Sequence, residues 1–272
     1  MFTFMLQKIK TVFLKKIHLR KVVNDFLSPL RFELPKREKQ FLKSAKTEAI
    51  TIPVLKKEVC ILRYGYSKNK ILLVHGWSGR ATQFYKIADK LLESGMMVIA
   101  FDAPAHGLSN GKQTSMQEFI QIIEYLHKKH SFYGAIGHSL GAMALLQSVA
   151  NGLHFKRIVS ISAVANIDEI ILKFLNEKNK KSISVSDFKA YFKNRLQYNL
   201  ENYNGIACAK KNTIKTLVIH DVLDSRAAVR NAYILRQNLQ NGIILTTSGL
   251  GHTRILKDTS ICKRISQFIK PT

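Results

Sequence analysis

The chain has 272 residues, 46% of them apolar, with 43 Lys+Arg against 18 Asp+Glu and a formal net charge of +25. That apolar content supports a buried core and excludes a wholly disordered chain, and the length suits one α/β domain with an insertion. A surplus of basic charge suits a nucleic-acid or anionic-membrane partner, but no zinc-finger spacing or aromatic RNA-binding signature accompanies it, so no nucleic-acid partner is expected. The three cysteines Cys60, Cys208 and Cys262 lie far apart. They offer neither a disulfide framework nor a CxxC metal site, which points to reduced thiols in a cytoplasmic setting and to no metal.

Residues 1–46 form a basic N-terminal extension. Phe2, Met5, Leu6, Ile9, Val12, Phe13, Ile17, Val23 and Phe26 recur at helical spacing among lysines and arginines, which predicts an amphipathic helix. No run approaches the ~20 apolar residues of a membrane span, and no signal-peptide pattern is present. Two readings stay open: a helix packed on the domain's own surface, which is favoured, or one lying on an anionic membrane face. A short helix over Glu38–Ala45 leads into the core.

The core is expected in two parts, 47–163 and 213–272. Thr47–Val54 and Glu58–Tyr64 read as an edge hairpin turning at Lys56-Lys57. Ile71–Val74 is a fully apolar strand that ends in His75-Gly76-Trp77-Ser78-Gly79. A Gly-rich turn after a buried strand can aim backbone N–H groups into a site, and the Trp77 N–H is the candidate oxyanion donor. A helix over Thr82–Glu93 buries Phe84, Ile87, Leu91 and Leu92, and a strand over Met96–Phe101 follows. Asp102 and His106, in the next loop, read as braces for that loop.

Ser115–Lys129 is helical, and then comes the strand–turn–helix Phe132–Asn151 with Gly137-His138-Ser139-Leu140-Gly141 at its turn. G-x-S-x-G in that context is a nucleophile elbow: Ser139 sits on a strained turn, and the Leu140 N–H at the helix start is a second oxyanion donor. Gly137 and Gly141 flank it because a Cβ at either position would collide with a neighbouring strand or helix. Arg157–Ser162 is another strand.

Strands and helices alternating in this way predict a doubly wound, mostly parallel sheet with the site at the strands' C-terminal ends. The rhythm breaks over 164–212, where helices over Ile167–Leu175 and Ser186–Leu200 are expected without an intervening strand. That insertion reads as a helical lid shaping the substrate pocket. The rhythm then resumes with a strand over Thr216–His220, a helix over Ala228–Leu239, a strand over Gly242–Thr247, a Gly-rich loop displaying His252, and a final helix over Thr259–Ile269.

A serine hydroxyl needs a general base within reach, and the imidazole needs an acid to fix its tautomer. Ser139, Asp224 and His252 supply the three at strand ends in the order Ser, Asp, His. Asp224 is the preferred acid because it can reach the His252 loop. Asp221, expected to brace its own turn, and Asp168 are alternatives.

Taken together, these motifs resemble the α/β-hydrolase superfamily, and within it the lid-bearing serine hydrolases. The resemblance spans roughly Lys70 to Lys270. It rests on His75-Gly76-Trp77, Phe101–Gly107, the elbow, His220–Asp224 and Gly251-His252. It implies Ser139 as nucleophile, Asp224 as acid, His252 as base, Trp77 and Leu140 as oxyanion donors, and no cofactor. The expected activity is cleavage of a small-molecule carboxylic ester or thioester, with amide cleavage, acyl transfer or a non-catalytic binding protein as alternatives. Relatives often carry Pro a few residues after the acid, where this chain has Ala227-Ala228.

Overall fold

The apolar runs read as strands all enter one sheet. The computed structural model describes residues 17–271, the side chain of Leu196 excepted. In chain order the strands are β1 (Lys46–Ile52), β2 (Lys57–Tyr64), β3 (Lys70–Val74), β4 (Met97–Asp102), β5 (Phe132–His138), β6 (Arg157–Ile161), β7 (Lys215–Asp221) and β8 (Gly242–Thr247). They pair in the order β1-β2-β4-β3-β5-β6-β7-β8. Only the β1–β2 and β2–β4 pairings are antiparallel. The five others are parallel, which brings Val74 opposite Gly137, His138 opposite Ile161 and Asp221 opposite Thr247. The ends of the parallel strands therefore lie along one edge of the sheet, and the loops carrying Trp77, Ser139, Asp224 and His252 leave from that edge.

The strands alternate between two apolar layers, as a pleated sheet covered on both faces must. Leu72, Val74, Ile99, Phe101, Ala135, Ile158 and Val218 belong to one layer. Ile71, Leu73, Val98, Ala100, Ile136, Val159, Leu217 and Ile219 belong to the other. The first layer is covered by α4 (Met116–Lys129), α5 (Leu140–Ala150) and α9 (Arg230–Asn238), the second by α2 (Lys36–Ser44), α3 (Tyr85–Glu93) and α11 (Thr259–Ile269). Each fully buried Leu, Ile or Val adds about 1.5–3 kcal/mol to the fold. No helix among the described residues is long and apolar enough to cross a membrane.

The expected hairpin forms, but its turn is residues 53–56 rather than Lys56-Lys57. Pro53 has no N–H to give the ladder, so β1 ends at Ile52 and Val54 stands 65% exposed in the turn. Lys57 already pairs with Ile52. The helix expected over Thr82–Glu93 divides into a 3-10 turn (Ala81–Phe84) and α3, whose last turn leaves Leu92 37% exposed instead of buried.

The 164–212 segment holds α6 (Ile167–Glu177), α7 (Val185–Leu196), a 3-10 turn (Leu200–Asn202) and α8 (Gly205–Lys211). The helix expected over Ser186–Leu200 thus stops at Leu196, where Gln197 adopts φ 54°, and α8 is a helix that periodicity alone misses. Asn204 caps α8 by accepting from the Ala207 N–H at 3.1 Å.

The described part of the N-terminal helix, α1 (17–26), packs on the domain itself. Leu19, Val22, Val23 and Leu27 are buried in the first apolar layer. The Phe26 ring contacts Phe174 of α6, Phe188 and Phe192 of α7, and Trp77. The helical positions expected between Met1 and Lys16 lie outside the described residues. After α1 the chain crosses the loops at the sheet edge: the Leu30 N–H donates to Ser78 Oγ at 2.9 Å, and Arg31 donates from Nε to Ala105 O at 3.1 Å.

Candidate active site

The turn between β5 and α5 is tight because both flanking residues lack a Cβ. A Cβ on Gly137 would meet Ala142 Cα at 2.5 Å, and one on Gly141 would meet Val74 O at 2.2 Å and His75 O at 2.3 Å. The helix therefore starts hard against the end of β3, and Ser139 between them is forced to φ 52°, ψ −119°. That conformation is strained for any residue with a side chain. Leu140 is the first residue of α5, so its N–H belongs to the unsatisfied first turn.

The loop after β3 comes up beside this turn, where a Cβ on Gly76 would lie 2.9 Å from Ser139 Cβ. Buried histidines fix its path. His75 donates from Nδ1 to Gly76 O at 2.7 Å and accepts the Ala103 N–H on Nε2 at 3.0 Å. His106 accepts the Ser78 N–H on Nε2 at 2.9 Å and donates from Nδ1 to Pro104 O at 3.0 Å. Burial holds both rings neutral, with their pKa pushed down to about 4 and about 3. Asp102 accepts from the Ala81 N–H at 2.7 Å and the Leu108 N–H at 2.8 Å. Asp102 and His106 thus brace the loops, as their sequence context suggests. Among the described residues the Trp77 backbone N–H has no hydrogen-bond partner.

Asp224 and His252 meet from successive loops. His252 Nδ1 donates to Asp224 Oδ2 at 2.7 Å, and Asp224 Oδ1 accepts the Arg226 and Ala227 N–H groups at 2.8 and 3.0 Å. Burial by itself raises the carboxyl's pKa, but the His252 hydrogen bond and charge, with the two backbone donors, hold it well below the usual range. The Ala227-Ala228 sequence supplies the N–H that a proline could not. Asp221 accepts from Leu223 N–H, Thr247 Oγ1 and Leu250 N–H, tying β7 to the start of the His252 loop. Asp168 instead pairs with Lys189 at 3.1 Å in the 164–212 segment. The expected Gly-rich loop ends in a helical turn, α10 (Gly251–Arg254), that carries His252.

Sequence reasoning missed a second tier of histidines. His138, on the residue before Ser139, donates from Nε2 to His252 O at 2.8 Å, and the two rings lie 4.8 Å apart. Burial, then repulsion from His252, push the His138 pKa down to about 3. His220 donates from Nε2 to Ala227 O at 2.8 Å and lies 3.5 Å from Asp224 Oδ2. Their positions at the ends of β5 and β7 were the available signal.

Ser139, His138, His252, Gly76 and Trp77 line one cavity of about 330 Å³. Phe32, Glu33, Pro35 and Arg37 also line it, as do Arg80 and Arg226. Among the described residues none of 164–212 lines it.

Residues 69–184 match the family model of the alpha/beta hydrolase fold. A serine hydrolase-like protein of Dictyostelium discoideum is 34% identical over 84 residues, covering 28% of this chain and 23% of that protein. A monoglyceride lipase homolog of Monkeypox virus is 24% identical over 115 residues, covering 39% of this chain and 42% of that protein. The chain therefore matches less than half the length of these two curated relatives. Among solved structures, an esterase of Pyrococcus furiosus superposes with a TM-score of 0.69 at 18% identity, covering 90% of this chain and 96% of that one. At that identity the likeness establishes the fold. The parallel sheet with its strand–Ser–helix turn and the superposed esterase agree: the chain has the α/β-hydrolase fold, and its residues 69–184 match that fold's family model.

Proposed function

We propose that the protein is a serine hydrolase that cleaves a carboxylic ester or thioester through an acyl-enzyme. The observation that carries the reading is the 2.7 Å bond from His252 Nδ1 to Asp224, with the His252 ring lining the same cavity as Ser139 on its φ 52° turn. With Nδ1 committed to Asp224, His252 Nε2 is free to accept a proton. Ser139 Oγ attacks the carbonyl carbon while His252 takes its proton, and the tetrahedral oxyanion is held by the N–H groups of Trp77 and Leu140. One such donor is worth about 10²–10³ in kcat. The intermediate collapses as His252 protonates the leaving alcohol or thiol. Water, deprotonated by His252, then attacks the acyl-enzyme and releases the acid and Ser139.

In this reading residues 17–37 and helices α6 to α8 together form the cap over the sheet edge, with Phe26 packed between them and Trp77. Turnover of short-chain p-nitrophenyl esters tests the proposal. Wild type should release nitrophenol, and Asp224→Asn should lower kcat by about 10⁴ through loss of the correct His252 tautomer. Equal turnover by wild type and Asp224→Asn would contradict it.

A further inference from the structure

The cavity in front of Ser139 is cationic, and its charge is only partly paid back by carboxylates. Three arginines line it, Arg37 on the first turn of α2, Arg80, and Arg226 beyond Asp224, against one acidic residue, Glu33. Arg80 is neutralised: Glu38, fully buried, accepts from its Nε at 2.7 Å and its Nη2 at 3.1 Å, and also from Thr82 Oγ1 at 2.7 Å. With Glu38 so occupied, Arg37 approaches it no closer than 3.9 Å. The Arg226 guanidinium has no hydrogen bond or ion pair to any described residue. Lys257 stands in the same field. Its pKa is lowered first by burial and then by Arg37, Arg80 and Lys86, against the attraction of Glu38.

A single exposed arginine is ordinarily a solvated side chain of little consequence. Here two arginines on different segments line one cavity that also holds Ser139; among the described residues Arg226 has no side-chain partner, and Arg37 has only the 3.9 Å contact with an already occupied Glu38. Guanidinium forks match carboxylate and phosphate oxygens in a bidentate way. The net charge of +25 adds a long-range pull on anions.

We propose that the ester processed at Ser139 carries an anionic group, a carboxylate or phosphate, that docks between the guanidinium groups of Arg37 and Arg226. This rests on the serine hydrolase reading for the reaction, but the anion site itself stands on the arginines. The chemistry adds no co-reactant: water replaces the alcohol or thiol at the acyl carbon, and the anionic group is untouched.

Trp77, the one tryptophan of the chain, lines the cavity and reports binding directly. In Ser139→Ala, its fluorescence is titrated with methyl butyrate, monomethyl glutarate and butyryl glycerol phosphate, so that the two anionic arms separate carboxylate from phosphate. At least one anionic ester should bind about tenfold or more tighter than the neutral one, and Arg37→Gln/Arg226→Gln should remove that advantage. Added salt should weaken the anionic ligand selectively. Equal affinity of all three esters, or an advantage untouched by the double substitution, would overturn the proposal. Turnover of the same esters by wild type separates the two readings. Anion binding without turnover of any ester contradicts the hydrolase reading alone, and turnover without anionic preference contradicts the anion site alone.

Discussion

Under the proposed function, Ser139 concentrates the conflict between stability and chemistry in one residue. Its backbone sits at φ 52°, a region that costs a side-chain-bearing residue about 1–3 kcal/mol, and the close approach of Gly141 to Val74 O leaves no room to relax. Glycine adopts that conformation freely. Ser139→Gly should therefore raise the unfolding free energy by about 1 kcal/mol in denaturant titration, despite removing the hydroxyl. A destabilised Ser139→Gly would mean the turn is not under strain. The elbow was legible because its glycines are local: Gly137, Ser139 and Gly141 lie within five residues. The role of His138 was not, because its bond to His252 O joins residues 114 apart and depends on how the last loop folds.

Element-scale order depends on contacts that periodicity cannot report. The amphipathic spacing of α1 and the short helix at α2 were visible, but not what their apolar faces cover. Phe26 reaches Trp77 and three aromatic rings of α6 and α7, and Phe41 packs on Tyr64. No function was expected of the segment between the two helices, yet Phe32, Glu33, Pro35 and Arg37 line the cavity. The expected lid, 164–212, was found as a helical segment from its missing strand, whereas α8 escaped because seven residues are too few to show a period.

Glu38 shows the same limit. In sequence it is one charge in a charged helix, but in the fold it is fully buried and clamps Arg80 and Thr82 forty-two and forty-four residues on. Removing one partner of a buried pair leaves the other charge uncompensated. Glu38→Ala should cost about 3–5 kcal/mol, and Glu38→Leu/Arg80→Met should recover much of it, both read by urea unfolding. A loss under about 1 kcal/mol in Glu38→Ala would show that water already screens the pair.

At the scale of the whole molecule, the sheet edge is stiffened by neutral buried histidines. His75, His106 and His138 have folded pKa values lowered from 6.5 to about 4, about 3 and about 3. Above the unfolded value neither state binds protons at these rings, and their contribution is fully present. As pH falls from 6.5 towards 4, the unfolded chain takes up protons that the folded one refuses, so stability drops by about 1.4 kcal/mol per pH unit for each ring. Asp224, with its lowered pKa, adds to the loss at still lower pH, while Asp102, raised by burial, works the other way. Thermal unfolding across pH 7 to 4 should show a steep, continuous fall in Tm. A flat profile would mean that these rings charge inside the fold.

The measurement that bears most directly on the central claim is fluorophosphonate labelling followed by peptide mass spectrometry. One adduct should form, on Ser139 of the wild type, absent from Ser139→Ala and slowed at least about 10³-fold in His252→Ala. An adduct on another serine, or unchanged labelling of the folded His252→Ala variant, would contradict an activated Ser139–His252–Asp224 site.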